Sequence, residues 1–360
     1  MRRPDRDVRN ATMATSLVYD QRPDPVVRGL VTLGALVVLF LGTRIPLPGL
    51  SSDLLQRISG GAALGRLSIF ALGVAPVIAA LAIVELLRVS IPPFGRWAAA
   101  SDKAARLDAL ARALALALAA IQANGVAELI ERIAGFAEAP GWTFRAGIAA
   151  TAIGATALLM WLGDLVTRNG FGDGLLILLA APIVVQSPSY LPIWMELSRT
   201  GAIPISLPVA AVILTAVAIV LLIAASLAHG WSLKRLTGPN LAGARFEIWP
   251  PILAATVFGP LVALADRLSR AETLPRAVVA ALHMGALAAL IALFAILRAR
   301  LASGADRPPN LWLVTFSEIV VCIGAMAFAY VYQISSASSG FSIVFVVAAA
   351  LSCVSRYVRL

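Results

Sequence analysis

The feature that most constrains this chain is a recurring run of apolar residues with few charges inside it. Reading from one polar break to the next gives ten such runs, near 27–43, 73–90, 107–126, 146–167, 173–187, 207–228, 250–265, 278–297, 311–333 and 342–357. Many approach the ~20 residues that carry a helix across a hydrocarbon core. Only 13% of the chain is charged and 60% is hydrophobic, against roughly a quarter charged in an ordinary globular protein. The expected fold is an all-α polytopic membrane protein of about ten transmembrane helices, five on each side of residue 190. The fifth and tenth runs are short, so neighbouring helices are expected to enclose them. An odd number of crossings per half permits inverted halves, although self-similarity between the halves is too weak to demonstrate.

Charge sets the orientation. The net charge of +10 could suggest nucleic acid, but its distribution points elsewhere. With the first tail placed in the cytoplasm, 20 of the 29 Lys and Arg fall on the cytoplasmic side. Basic loops resist transfer and are held by anionic headgroups, so both termini are expected to be cytoplasmic and no nucleic-acid partner is expected. Trp97, Trp142, Trp194, Trp231, Trp249 and Trp312 lie near span ends, where interfacial aromatics belong. Residues 1–25 are polar and Arg-rich, with no cleavable leader visible, so the first span would serve as the insertion signal. Cys322 and Cys353 sit within apolar runs, which argues against a disulfide framework. His229 and His283 are too scattered for a metal site. No Walker, HExxH or GxSxG pattern with a plausible histidine is present, and neither an enzyme activity nor a cofactor is expected.

Three connections stand out. VAELIERIAGF (126–136) spaces its apolar residues as a helix with acids between them and reads as an outer-surface helix. Residues 188–206 read as an external connector. LSSDLLQRISGGAALGRLSIFAL (50–72) is too polar to span and too apolar for a free loop, so it must lie against protein or a wet cavity. A fourth stretch, MWLGDLVTRNGFGDG (160–174), interrupts the apolar pattern with Asp164 and Arg168 four apart and glycines at 170, 172 and 174. It lacks the strand and the Lys-Ser/Thr of a phosphate-cradling loop.

RIPLPG (44–49), SGGAALGRLSIFALGVAP (59–76), ALALAAIQANGVA (115–127) and MWLGDLVTRNGFGDG occur in this order. Together they resemble the SecY family, the pore-forming subunit of the protein-conducting channel, over most of residues 26–187. GFSIVFVVAAALS (340–352) resembles the family's last span. The resemblance implies a SecY-like fold with a cytoplasmic tail (1–25), an N-terminal half (26–187), an external connector (188–206) and a C-terminal half (207–360). It makes 164–174 the cytoplasmic turn between spans four and five, with Asp164 and Arg168 able to pair and the glycines permitting positive φ and a close return. It also implies a ring of bulky apolar side chains at Val74, Ile78, Leu175, Leu179, Leu253 (or Ile252) and Phe345. Such a ring blocks ions and water by sealing and dewetting.

By the same resemblance a plug helix lies near 57–70, with Ile58, Gly60, Gly61, Leu64 and Gly65. Spans two, three, seven and eight form a lateral gate that carries Glu85 and Gln122. The family usually has an amide at the position of Glu85, and an acid there can alter gating or reach Arg88 at the interface. Glu318 in the ninth span has no assigned role.

Small subunits resembling SecE and SecG, a polypeptide substrate and the bilayer of a bacterial plasma membrane are the implied partners. The family's long basic loops meet a SecA motor or the ribosome. Here they shrink to 228–249 and 298–310, keeping Lys234, Arg235, Arg245, Arg298, Arg300 and Arg307. The trimming leaves the driving partner open and admits two alternatives. One is a non-conducting assembly or regulatory scaffold, and the other is a small-solute transporter using Glu85 or Asp164.

Overall fold

The computed structural model describes residues 24–51, 67–98, 104–133, 135–201, 204–237, 249–268, 276–301, 311–331 and 340–357. Among these are ten long helices: α1 (Pro25–Gly42), α2 (Ala75–Ser90), α3 (Ala104–Glu131), α4 (Trp142–Asn169), α5 (Gly174–Arg199), α6 (Ser206–Thr237), α7 (Trp249–Leu268), α8 (Arg276–Leu301), α9 (Leu311–Val331) and α10 (Gly340–Tyr357). A short helix, Pro92–Ala98, follows α2. Each long helix overlaps one apolar run. Four of them contain stretches long and apolar enough to cross a membrane: Pro25–Gly42, Ala105–Glu131, Trp142–Asn169 and Val278–Leu297. Shorter apolar helical stretches lie in α5, α6, α7, α9 and α10.

Local chemistry sets the ends. Proline opens α1 and α2 in their first turns, where its missing N–H costs nothing. Ile91 is extended at the end of α2, as a residue before proline prefers. Asp173 caps α5, its carboxylate accepting from the amides of Leu175 at 3.1 Å and Leu176 at 3.3 Å.

Two readings of the connections need correction. The outer-surface helix expected at 126–136 is the last turn and a half of α3, which runs unbroken to Glu131. Its acids are occupied there: Arg145 on α4 donates to Glu131 at 2.6 Å and to Glu128 at 3.4 Å. The expected connector at 188–206 is largely helix, because α5 continues through Pro182, Pro188 and Pro192 to Arg199. Proline marks a helix break in water, but a membrane helix tolerates it when neighbours re-satisfy the freed carbonyls.

The N-terminal half packs by small residues. Ala111, Ala115, Ala119, Ala123 and Ala127 form a buried row at every fourth position of α3, which lets α2 and α4 approach closely. Large apolar side chains face outward instead: Ile121, Leu129, Trp142 and Trp161 are all exposed, as a helix facing lipid requires. RIPLPG is a run of turns pinned by one isolated bridge between Pro46 and Ser68, with Leu47 donating to Leu67 at 2.8 Å and Ile69 to Ile45 at 2.9 Å. It pairs on its other side near 136–138, where Ser51 donates to Phe136 at 3.0 Å. The C-terminal half buries a cluster drawn from α6 to α10 and shared with Ala82 and Val89 of α2, including Leu222, Leu253, Leu287, Ile291, Val321 and Val347.

Candidate functional site

α2 begins where the two halves meet. Val74 precedes its first turn, and its carbonyl accepts from the amides of Val77 and Ile78, both at 3.1 Å. The two side chains enter different clusters. Val74 is buried with Phe70, Leu159 and Leu178, and Leu175 and Leu179 pack against that group. Ile78 packs into the C-terminal cluster, where Leu253 is fully buried and Phe345 is half-buried. Leu175 also touches the group of Val77, Ala80 and Ala115 between α2 and α3. The six ring positions are thus divided three and three, with one turn of α2 joining the groups. Ile252 is buried beside Leu253 in the same cluster.

Along α2, Ile78, Ala82, Leu86 and Val89 continue into the C-terminal cluster at helical intervals on one face. α2 packs there against α7 and α8. Glu85 lies within this stripe by its spacing, only 8% exposed, with Arg88 one turn on at 3.6 Å. Gln122 is half-buried on α3.

The α4–α5 turn departs from expectation in its ion pair. Asp164 is held by Arg112 of α3 at 2.8 Å, and Arg112 also takes Asp108 at 2.9 Å. The partner lies across the α3–α4 interface, where the interhelical geometry is better than along one helical turn. Of the three glycines only Gly172 uses positive φ, at 70°. Gly174 is needed for close approach, since a Cβ there would collide with the backbone of Gly163 on α4.

The plug positions Ile58, Gly60, Gly61, Leu64 and Gly65 lie outside the described residues, as do Arg245 and Arg307. Lys234 and Arg235 fall in the last turn of α6, and Arg298 and Arg300 in the last turn of α8. Two features have no counterpart in the expectations above: the alanine row, visible as a four-residue period, and Arg28 and Thr32, which hold the α4–α5 turn and give no signal beyond a polar residue in an apolar run. Glu318, expected in the ninth span without a role, is fully buried beside Ser317.

Two five-helix halves meeting on apolar side chains make a fold that solved structures share. A solved structure described as that of a protein-conducting channel matches with a TM-score of 0.60 at 15% identity, covering 94% of each chain. A Sec61 channel from a canine ribosome–channel complex of the endoplasmic reticulum matches with a TM-score of 0.59 at 16% identity, again over 94% of each chain.

Sequence narrows the class, because residues 68–228 match the SecY family model. That stretch, somewhat less than half of the chain, is similar to the SecY family. The protein translocase subunit SecY of Rickettsia typhi is 32% identical over 199 residues, which is 50% of this chain and 46% of that protein. That of Escherichia coli K12 is 32% identical over 193 residues, 48% and 43% of the two chains. The chain therefore spans about half the length of the curated relatives it matches.

Proposed function

We propose that this protein is a channel subunit that passes unfolded polypeptides across a bacterial plasma membrane and releases apolar segments sideways into lipid. The observation that carries this reading is the first turn of α2, which lies in the SecY-matched region and sends Val74 and Ile78 into the apolar clusters of opposite halves. A constriction of this chemistry has no charge selectivity and excludes ions by dewetting. Val74, Ile78, Leu175, Leu179, Leu253 and Phe345 would line it, and the segment near 57–70 would plug it. Glu85 and Gln122 would lie on the gate helices, with cytoplasmic tails at both ends of a 26–187 and 207–360 two-half organisation.

The implied partners are small subunits resembling SecE and SecG. Lys234, Arg235, Arg245, Arg298, Arg300 and Arg307 would meet a motor such as SecA, or a ribosome. The chain's own residues supply a conduit and a seal, and the driving energy comes from that partner.

One observation favours a second reading. The connections at 228–249 and 298–310 are short, as a non-conducting scaffold that no longer docks a motor would permit. A photocrosslinking residue at Ile78, with a stalled secretory precursor in native membranes, separates the two. Labelling of the precursor is expected. Its absence, while a parallel housekeeping channel labels normally, would select the scaffold.

A further inference from the structure

Arg28 closes the first turn of α1 and is only 8% exposed. Long cationic side chains are almost never buried so deeply unless their charge and donors are matched. One donor here is not. Nε donates to the Gly170 carbonyl at 3.2 Å, and the guanidinium lies over the Phe171 ring, 5.4 Å from its centroid, where the π-face favours a cation. Nη1 is buried and has no hydrogen-bond partner among the described residues. The ion pairs among those residues are made by Arg88, Arg112, Arg145 and Arg199, so Arg28 draws no counter-charge from them.

The surroundings are held in place. Thr32 Oγ1 donates to the Arg28 carbonyl and accepts from the Phe171 amide, both at 3.0 Å. On the far side of the turn the Gly174 amide donates to Thr167 Oγ1 at 2.8 Å, and the Asp173 amide donates to the Ser352 hydroxyl of α10 at 3.1 Å. The nearby acids do not serve Arg28. The Asp173 carboxylate caps α5, and Asp24, at the cap position of α1, is exposed and makes no side-chain bond to the helix amides.

The amides of Val26 and Val27 are among those a helix leaves unpaired at its start, and both residues are exposed. A helical side chain leans over the turn before it, which brings the Arg28 guanidinium toward that same end, where the helix dipole favours an anion. Arg168, exposed in the last turn of α4, adds a cation two residues before Gly170. Val26, Leu30, Leu33, Val37 and Leu41 form an exposed stripe along α1, so the first turn of this lipid-facing helix lies where the headgroups of a bilayer begin.

We propose that Arg28 and the uncapped first turn of α1 form a binding site for a phosphate group, supplied by the headgroup of an anionic lipid or by free phosphate. A guanidinium offers paired donors to phosphate oxygens, and Nη1 is the donor left for them. Nε and the Phe171 ring fix the edge and face of the same group, so the bound phosphate ties α1 to the α4–α5 turn. The site is independent of whether the chain conducts polypeptide.

The test uses the purified chain in maltoside micelles, which carry no phosphate. Its melting temperature is followed on adding phosphatidylglycerol, a glucosyl diacylglycerol with the same acyl chains, or inorganic phosphate against chloride at matched ionic strength. A ligand that binds only the folded chain raises the melting temperature with its concentration. Phosphatidylglycerol is expected to stabilise the parent beyond the glucolipid, and Arg28→Gln to lose that excess. Basic residues elsewhere also attract the lipid, so the difference between parent and variant is what is read. A response to the lipid alone assigns a headgroup site, and a response to inorganic phosphate as well assigns a site open to free phosphate. Equal responses to the two lipids with none to phosphate, or an Arg28→Gln chain that keeps the full excess, overturn the site. If Arg28→Gln does not accumulate, Arg28→Lys keeps a cation but loses the planar fork. It should raise the half-saturating concentration about tenfold, the loss of one charge-assisted hydrogen bond. An unchanged concentration would equally overturn the site.

Discussion

Replacing Ile78 with asparagine probes the seal most directly. Ile78 is half-buried and packs into the cluster that holds Leu253 and Phe345. Full burial of an aliphatic side chain stabilises by about 1.5–3 kcal/mol, so its half-buried side chain contributes about 1–1.5 kcal/mol. An amide placed in the same apolar surroundings costs roughly 1–3 kcal/mol on protein mutational scales. The closed packing therefore loses about 2–4 kcal/mol, while a parted, hydrated seam lets the amide bond to water. At about 1.4 kcal/mol per factor of ten, the open fraction rises roughly 30- to 700-fold. The assay is ion efflux from proteoliposomes holding the purified chain, with Ile78→Leu as the volume-matched control. Efflux should rise steeply in the asparagine variant and stay at the parent level in the leucine variant. A variant that melts earlier yet leaks no more than the parent would make Ile78 a core residue and refute the reasoning.

Three further outcomes are expected. Gly174→Val forces a side chain onto the backbone of Gly163, and overpacking of this kind should cost about 1–3 kcal/mol, read as a lower melting temperature in detergent. A double-mutant cycle on Arg112 and Asp164, whose side chains are 43% and 36% exposed, should return a coupling of only about 0.2–1 kcal/mol; a much larger coupling would mean that the pair is shielded from water by a partner. Glu85→Gln should leave precursor import close to the parent level, since the seam around it is apolar and the amide keeps the shape; abolished activity would favour the transporter alternative, in which this carboxylate carries a coupling proton.

The sequence made most of the bundle readable because apolar length against polar breaks is the signal a bilayer selects for. All ten runs coincide with helices. Where a run continued past a residue that breaks helices in water, the same logic failed. The fifth run ends at 187, within the polar stretch QSPS, yet α5 continues to Arg199, and the third run ends at Val126 because Glu128 and Glu131 read as solvated. Both acids are in fact held by Arg145, 17 and 14 residues away, and no local pattern announces such a pairing. Asp164 makes the point again. Its helical neighbour Arg168 was the obvious partner from spacing, and Arg112 on another helix takes it instead. The candidate ring was legible only through the family resemblance, which pointed to a set of large apolar residues. Their division between two clusters, joined by one turn of α2, depends on how the halves dock, and a single sequence holds no signal for that.

The contact between Asp173 and Ser352 also bears on how the molecule is made. The two residues are 179 positions apart, so the turn before α5 is synthesised long before its partner exists. At about 5–20 residues per second the wait is roughly 10–35 s, during which the Asp173 amide lacks the hydroxyl that later accepts from it. Assembly of the first five helices can proceed on local contacts such as the alanine row, but the joint between α5 and α10 is made only when the last helix arrives. A ribosome that stalls before residue 352 would leave the halves joined by the chain and by the apolar contacts of α2 with α7 and α8, without the bond from Asp173. The turn itself would still be held by Arg28, Thr32 and Thr167 of the first half, so only its bond to α10 waits for the end of synthesis.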